Sequence, residues 1–382
     1  MRRTHAHLML PTCLITLVFL AGAASAADAA ASAAAKMPPN GPSQGAQSKS
    51  LPLTLIIDDG APCINVYWWH VAERQKTDQP TLKSGEPVVR DVPVTFVAEL
   101  AEVLQRRGIK GKLSVLPYPA GLGSIAQGLP GCSRADLDRW LAIVRRQIAP
   151  RMDITPEILT HSKTIDLATH TLLAENEREW STHQTAETLT PYIAEGLRVL
   201  KEVGLPATGV TSPWDFGSKV EPEYQRAIFR AQQEVNARRQ TWYFLHQSSE
   251  LSFQSKVVYR EADGWLVSIV SQCPDVFWQT METKDVSQAY VRSIADQLLT
   301  EDGRSGRAAD LFRAETPIVM LAHWQSLFSN GRKTGLRVLD EVGRRVEAAW
   351  GNRAHWVTCY ELAEQIAAGE RNHSNEAHSA RR

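Results

Sequence analysis

Short apolar runs alternate with amphipathic stretches along most of this chain, and that alternation limits the fold more than any other feature. The runs Leu53–Ile57, Lys112–Leu116, Ile154–Leu159, Ala207–Thr211, Trp242–Leu245, Trp265–Val270, Ile318–Leu321 and Trp356–Cys359 are short and bounded by turn residues, so they read as strands. Between them, Val94–Arg107 carries Phe96, Val97, Leu100, Val103 and Leu104 at helical spacing and stops at Gly108. Ser133 can cap a helix through Ile148, and Pro191 can open one that ends at Gly204. Ala227–Ala237, Val286–Leu299 and Leu336–Ala349 keep the same period. Parallel strands need a crossover on every connection, and a helix there covers the sheet. The fold class is therefore α/β, built of parallel βα units that close as a barrel or remain an open sheet.

The ends of the chain do not share the pattern. Arg2 and Arg3 precede an apolar stretch, Leu8–Leu20, and Ala24-Ser25-Ala26 supplies small residues for cleavage. This predicts an export signal over residues 1–26 and a secreted or periplasmic product. The stretch is short for a bilayer span, so no stable membrane span is expected after cleavage. Residues 27–50 lack large apolar side chains and read as a flexible linker, and 371–382 as a disordered tail. The folded domain is then 51–370. Cys63, Cys132, Cys273 and Cys359 remain after cleavage; an oxidising compartment permits any pairing, and free buried thiols fit equally well. Lys+Arg and Asp+Glu are both 42, so the basic surplus of a nucleic-acid binder is missing and no nucleic-acid partner is expected.

In βα folds the chemistry gathers beyond the C-terminal ends of the strands. Read in order, those ends carry Asp58-Asp59, His161, Ser212-Pro213-Trp214-Asp215, Asp275 and His323-Trp324. Any one of them alone could cap a turn or sit in a core. Together they place acids and histidines from separate strands on one rim, which a shared site requires. Carboxylates and imidazoles are the ligands of a divalent cation in hydrolysis, with an adjacent carboxylate as proton acceptor and a histidine as proton donor.

These residues resemble the polysaccharide deacetylase family, the NodB homology domain. Leu55-Ile56-Ile57-Asp58-Asp59-Gly60 resembles its T-F-D-D-G motif, and Glu157-Ile158-Leu159-Thr160-His161-Ser162 its E-I-x-x-H-[ST] motif. Thr211-Ser212-Pro213-Trp214-Asp215 resembles the third motif, and Val319-Met320-Leu321-Ala322-His323 the last. The resemblance implies a distorted (β/α) barrel and a divalent metal, with Zn²⁺ the expected ion. It implies Asp58 as catalytic base, Asp59 and His161 as metal ligands and His323 as general acid. Ile165 stands where the family has a second histidine, and Asp166 is the residue expected to replace it, with His170 beyond it as the alternative. Thr211 stands where the family has an arginine that supports the base, so that charge is expected to be missing. An insertion occupies Cys63–Pro93. Pro213, Trp214, Asp275 and Trp324 are expected to bind substrate, with Trp278 as a further aromatic platform for sugar rings.

The function this implies is a secreted metal-dependent hydrolase that removes acetyl groups from a polysaccharide or oligosaccharide. Two other readings use the same residues. One is a carbohydrate-binding protein that kept the fold and lost catalysis. The other is a glycosidase that uses two carboxylates such as Glu157 and Asp275.

Overall fold

The computed structural model describes residues 50–379, so the expected signal and almost all of the linker lie outside the described residues. Strand β1 (Leu51–Gly60) is buried from Leu53 to its end. It pairs in parallel with β10 (Ile318–His323) on one side and β2 (Gly111–Val115) on the other. A strand covered on both faces reads as a continuous apolar run, which is why its sequence does not alternate. β2 continues to β3 (Met152–Pro156), also in parallel. Gly111 is required where β1 and β2 meet, because a Cβ there would lie 1.8 Å from the Leu55 carbonyl oxygen.

A hairpin of β4 (Lys163–Asp166) and β5 (Thr171–Asn176) stands apart. A second sheet holds β6 (Gly209–Thr211), β7 (Gln240–Gln247) and β9 (Trp265–Ser271) in parallel, with β8 (Lys256–Arg260) antiparallel at its edge. Single parallel bridges join the sheets, Glu157 to Thr211 and Cys273 to Met320. The ring then runs β1-β2-β3-β6-β7-β9-β10 and back to β1, a distorted barrel whose seams are those bridges. β11 (Ala354–Trp356) pairs with Leu51–Leu53 at the start of β1.

Helices wrap the outside: α2 (Val94–Arg106), α3 (Arg134–Ile143), α5 (Ala186–Glu202), α6 (Glu221–Asn236), α7 (Gln288–Leu298) and α10 (Thr334–Trp350), with the short α8 (Arg307–Arg313) and α9 (Trp324–Phe328). Ser133 does cap α3, accepting from the Asp136 amide. Pro191 does not start α5. A capping box between Thr185 and Thr188 starts that helix at Ala186 and carries Pro191 inside it. The last expected strand is shorter than its apolar run, and Cys359 instead opens α11 (Cys359–Ser379). That helix continues through most of the segment whose composition reads as a tail. Its Leu362, Ala363 and Ala367 pack against Ile56, Trp242 and Val319, closing the barrel where the strands begin. No described helix is long and apolar enough to cross a membrane.

The insertion after β1 contains α1 (Val66–Gln75) and is tied down by a Cys63–Cys132 disulfide, while Cys273 and Cys359 are buried and free. The bond spans 69 residues of sequence, and cross-linking a loop of that length restricts the unfolded chain strongly. Replacing both cysteines by alanine is expected to cost about 2–4 kcal/mol, read as a lower denaturant midpoint with a steeper slope, because the unfolded chain without the cross-link exposes more surface. A double variant as stable as the parent would show that the bond carries no load.

Candidate metal centre and active site

The site begins with a bulge. In the β1–β2 ladder Ile57 faces Leu113 and Gly60 faces Val115, so Asp58 and Asp59 together oppose Ser114 alone. An extra residue on one strand bends it and re-aims its side chains. Asp59 takes a left-handed backbone, φ 65°. Asp58 stays in register with His323 on β10.

Asp58 forms an ion pair with the Lys112 ammonium, whose side chain has no solvent exposure. Lys112 Nζ also donates to Thr211 Oγ1 at 2.7 Å, and Thr211 Oγ1 lies 2.8 Å from Thr155 Oγ1. The expectation that the base lacks a supporting charge is therefore corrected. The cation comes from β2 instead of β6, and threonine at 211 leaves room for it. A lysine inside a fully buried strand was the available signal, because an unpaired buried ammonium is prohibitively costly.

Asp59 turns to the other side. Its amide donates to Glu157 Oε2 at 2.6 Å and to Ser114 Oγ at 3.1 Å. Its Oδ1 lies 2.8 Å from His161 Nδ1, and Glu157 Oε1 lies 3.5 Å from the same nitrogen. Asp59, Glu157 and His161 each offer a ligand atom, all within 4.8 Å of one another and all from buried residues. Asp59 Oδ1 and both ring nitrogens of His161 are buried with no hydrogen-bond partner. A divalent cation that takes the place of the imidazole proton would satisfy the carboxylate oxygens and a ring nitrogen together, and the carboxylate–imidazole set suits Zn²⁺. Burial pushes the Asp59 carboxyl up, but His161 outweighs it and holds it well below the usual carboxylate range. Burial, then the charges of Asp59 and Asp58, push Glu157 well up. Burial lowers His161, yet Asp59 overcomes it and lifts the imidazole to about 9.

His323 faces this cluster across the barrel mouth. Its Nδ1 lies 2.7 Å from Asp275 Oδ2, and Asp275 Oδ1 accepts from the Trp278 amide at 3.1 Å. Burial disfavours the charged imidazole, but Asp275 more than offsets this and the pKa stands at about 10. Asp275 fixes the ring through Nδ1 and leaves Nε2 without a hydrogen-bond partner among the described residues.

Asp58, Asp59, Glu157, His161 and His323 line one cavity of about 650 Å³, together with Trp214, Trp278 and residues of α1. Trp214 is 45% exposed, and its ring centroid lies 4.3 Å from that of His161. His70, on α1 in the insertion, donates from Nε2 to the His161 carbonyl at 2.5 Å. Burial, then the neighbouring His161, pull its pKa down to about 4, which keeps it neutral. Nothing in the local sequence marks His70, because it reaches the site only through the fold of the insertion.

Asp58, Asp59, His161, His323 and Trp214 thus come together on the rim. Four other expected residues do not serve as expected. Asp166 is not in the cluster: its Oδ1 accepts from the Ala168 and Thr169 amides at 2.8 and 2.9 Å and caps the β4–β5 turn. The hairpin carries it away from the cavity, and Glu157 takes the third position. Trp324 is wholly buried against Phe96 and Trp140, so it presents no face to a sugar. Pro213 is buried off the cavity wall. Asp275 stands behind His323 and does not line the cavity. Glu157 belongs to the cation cluster and Asp275 backs His323 off the cavity wall, so these two carboxylates do not face one another across the cavity as a glycosidase pair would.

No protein family and no curated protein matches this chain at the sequence level. Among solved structures it is similar to a candidate polysaccharide deacetylase from Mycobacterium smegmatis, 14% identical, covering 88% of this chain and 96% of that one at TM-score 0.47. It is similar to a peptidoglycan N-acetylglucosamine deacetylase, 11% identical, covering 82% and 87% at TM-score 0.39. It is also similar to a CE4 family pseudoenzyme, 8% identical, covering 83% and 68% at TM-score 0.35. Likeness this distant carries no argument about activity, and deacetylases and a pseudoenzyme occur together in it. The chemistry rests on the site's own geometry.

Asp59→Asn and Glu157→Gln are each expected to weaken Zn²⁺ binding beyond the roughly 10–100-fold that follows loss of a supporting contact, whereas Asp166→Asn leaves it unchanged. Metal content after dialysis against a buffered Zn²⁺ series checks this. An Asp59→Asn protein with stoichiometric Zn²⁺ would remove the assignment.

Proposed function

We propose that this chain is a metal-dependent hydrolase that removes acetyl groups from an oligosaccharide or polysaccharide. One observation carries the reading. A buried Asp59–Glu157–His161 donor set with orphaned ligand atoms shares its cavity with an ion-paired Asp58 and an Asp275-backed His323. That is a cation site with a proton acceptor and a proton donor beside it.

A divalent cation held by Asp59, Glu157 and His161 would polarise an acyl oxygen and make water a stronger acid. Asp58 takes the proton from the attacking water. Lys112 holds that carboxylate on its inner side and fixes its direction. His323, charged at neutral pH through Asp275, delivers a proton to the departing nitrogen or oxygen, so the products are acetate and a free amine or hydroxyl. Asp275 keeps the same ring edge facing the cavity in both protonation states. Trp214 offers an exposed indole face beside the cluster, suited to stacking a sugar ring. Zn²⁺ is the ion we expect, and the export signal read in residues 1–26 supports a secreted or periplasmic location.

Asp58→Asn is expected to retain metal and lose about 10²–10⁴-fold in acetate release, the usual effect of removing a general base. His323→Ala should lose turnover on an N-acetylated oligosaccharide but much less on an aryl acetate, whose leaving group needs no proton. An Asp58→Asn enzyme with the parent's rate would exclude the assigned base. If the parent releases no acetate from a broad glycan panel with zinc, cobalt, nickel or manganese, the reading falls. A carbohydrate-binding protein on the same barrel then replaces it.

A further inference from the structure

The loop that carries His161 is shaped by a carboxylate that no part of the proposed chemistry uses. Glu177 opens the short helix α4 (Glu177–Ser181) and has no solvent exposure. Its Oε1 accepts from the Leu159 amide at 3.1 Å, the Thr160 amide at 3.0 Å and the Tyr192 hydroxyl at 2.8 Å. Its Oε2 accepts from the His161 amide at 2.8 Å. Three consecutive amides therefore converge on one carboxylate, an internal version of the backbone concavities that bind anions.

The loop needs such a centre. Ile158 and His161 have φ values of 40° and 50°, left-handed conformations that are strained for a side-chain-bearing residue. The chain supplies the carboxylate by a detour. It leaves the loop at Ser162, runs through the β4–β5 hairpin, and returns with the Glu177 amide donating to the Ser162 carbonyl at 2.9 Å. Ile165, where a second histidine is absent, joins the same network through its amide, 3.3 Å from the Tyr192 hydroxyl. A site with one histidine in this loop cannot rely on two metal bonds to shape it.

We infer that Glu177 is a positioning residue that holds the His161 loop in ligand geometry before any cation is bound. Both of its oxygens are occupied by loop donors and it does not line the cavity, so it acts through the backbone of His161 and not on substrate. This rests on His161 being a metal ligand, as read above, but it does not depend on deacetylation.

The test reads amide hydrogen exchange at Leu159, Thr160 and His161 and the affinity for Zn²⁺ alone. In the metal-free parent these amides should already be protected, and Zn²⁺ should add little. Glu177→Gln sets its NH₂ against one of the loop donors. The variant should lose that protection and bind Zn²⁺ about 10–100-fold more weakly. Tyr192→Phe removes one donor and keeps the ring, so it should move both readouts the same way by less. It also serves if Glu177→Gln does not fold. Glu341→Gln, at a buried carboxylate that pairs with Arg344 and Arg345, controls for general destabilisation and should leave the Zn²⁺ affinity unchanged. Amides that exchange freely until Zn²⁺ is added would overturn the inference, as would a folded Glu177→Gln protein with the parent's Zn²⁺ affinity. A protein that shows the Glu177 dependence but releases no acetate keeps this inference and loses the deacetylase reading.

Discussion

The bulge at Asp58–Asp59 is the constraint on which the site depends. A regular strand sends neighbouring side chains to opposite faces of the sheet. Here the ladder skips against Ser114, and Asp59 turns left-handed while Asp58 keeps its register with His323. Two adjacent carboxylates therefore reach the same mouth of the barrel in different surroundings. One meets an ammonium and the other meets an imidazole and a second carboxylate. In the function proposed here, that difference separates a proton acceptor from a metal ligand.

Placing this much charge inside a barrel demands partners at every position. A buried ion pair missing one member is typically destabilising by 3–5 kcal/mol. Lys112 and Asp58 answer each other, and Thr211 and Thr155 take up the neighbouring polar atoms. Glu157 joins Ser114 and the Asp59 amide, and His323 is backed by Asp275. Within this cluster Asp59 and His161 keep orphaned atoms, and these lie where a cation would sit. Left-handed backbone gathers at the same rim, at Asp59, Ile158, His161 and Trp214. Strain of this kind persists where surrounding bonds over-determine the conformation.

The barrel supplies the reacting groups, and two excursions from it shape the wall. The disulfide-tied insertion brings α1 over the mouth, so that His70 grips the His161 carbonyl. The β4–β5 hairpin carries Asp166 out to the surface and returns with Glu177. Both lie in loops beyond strand ends, where a rigid frame tolerates insertion and where specificity can change without altering the core.

The sequence by itself determined the strand–helix alternation and hence the α/β class, because burial on both strand faces and on one helix face leaves a periodic trace. It also placed Asp58, Asp59, His161 and His323 at strand ends, since strand ends are visible wherever an apolar run meets polar residues. Tertiary structure alone decided which acid completes the cation cluster. Glu157 and Asp166 both flank His161 in sequence, but the bridge from Glu157 to Thr211 keeps one in the barrel while the hairpin removes the other. It also decided that Lys112 replaces the charge missing at Thr211, that Trp324 faces the core, and that Glu177 and His70 hold the ligand loop. Each of these depends on contacts between residues far apart in the chain. Local pattern records whether a residue is buried, but it does not record which residue it is buried against.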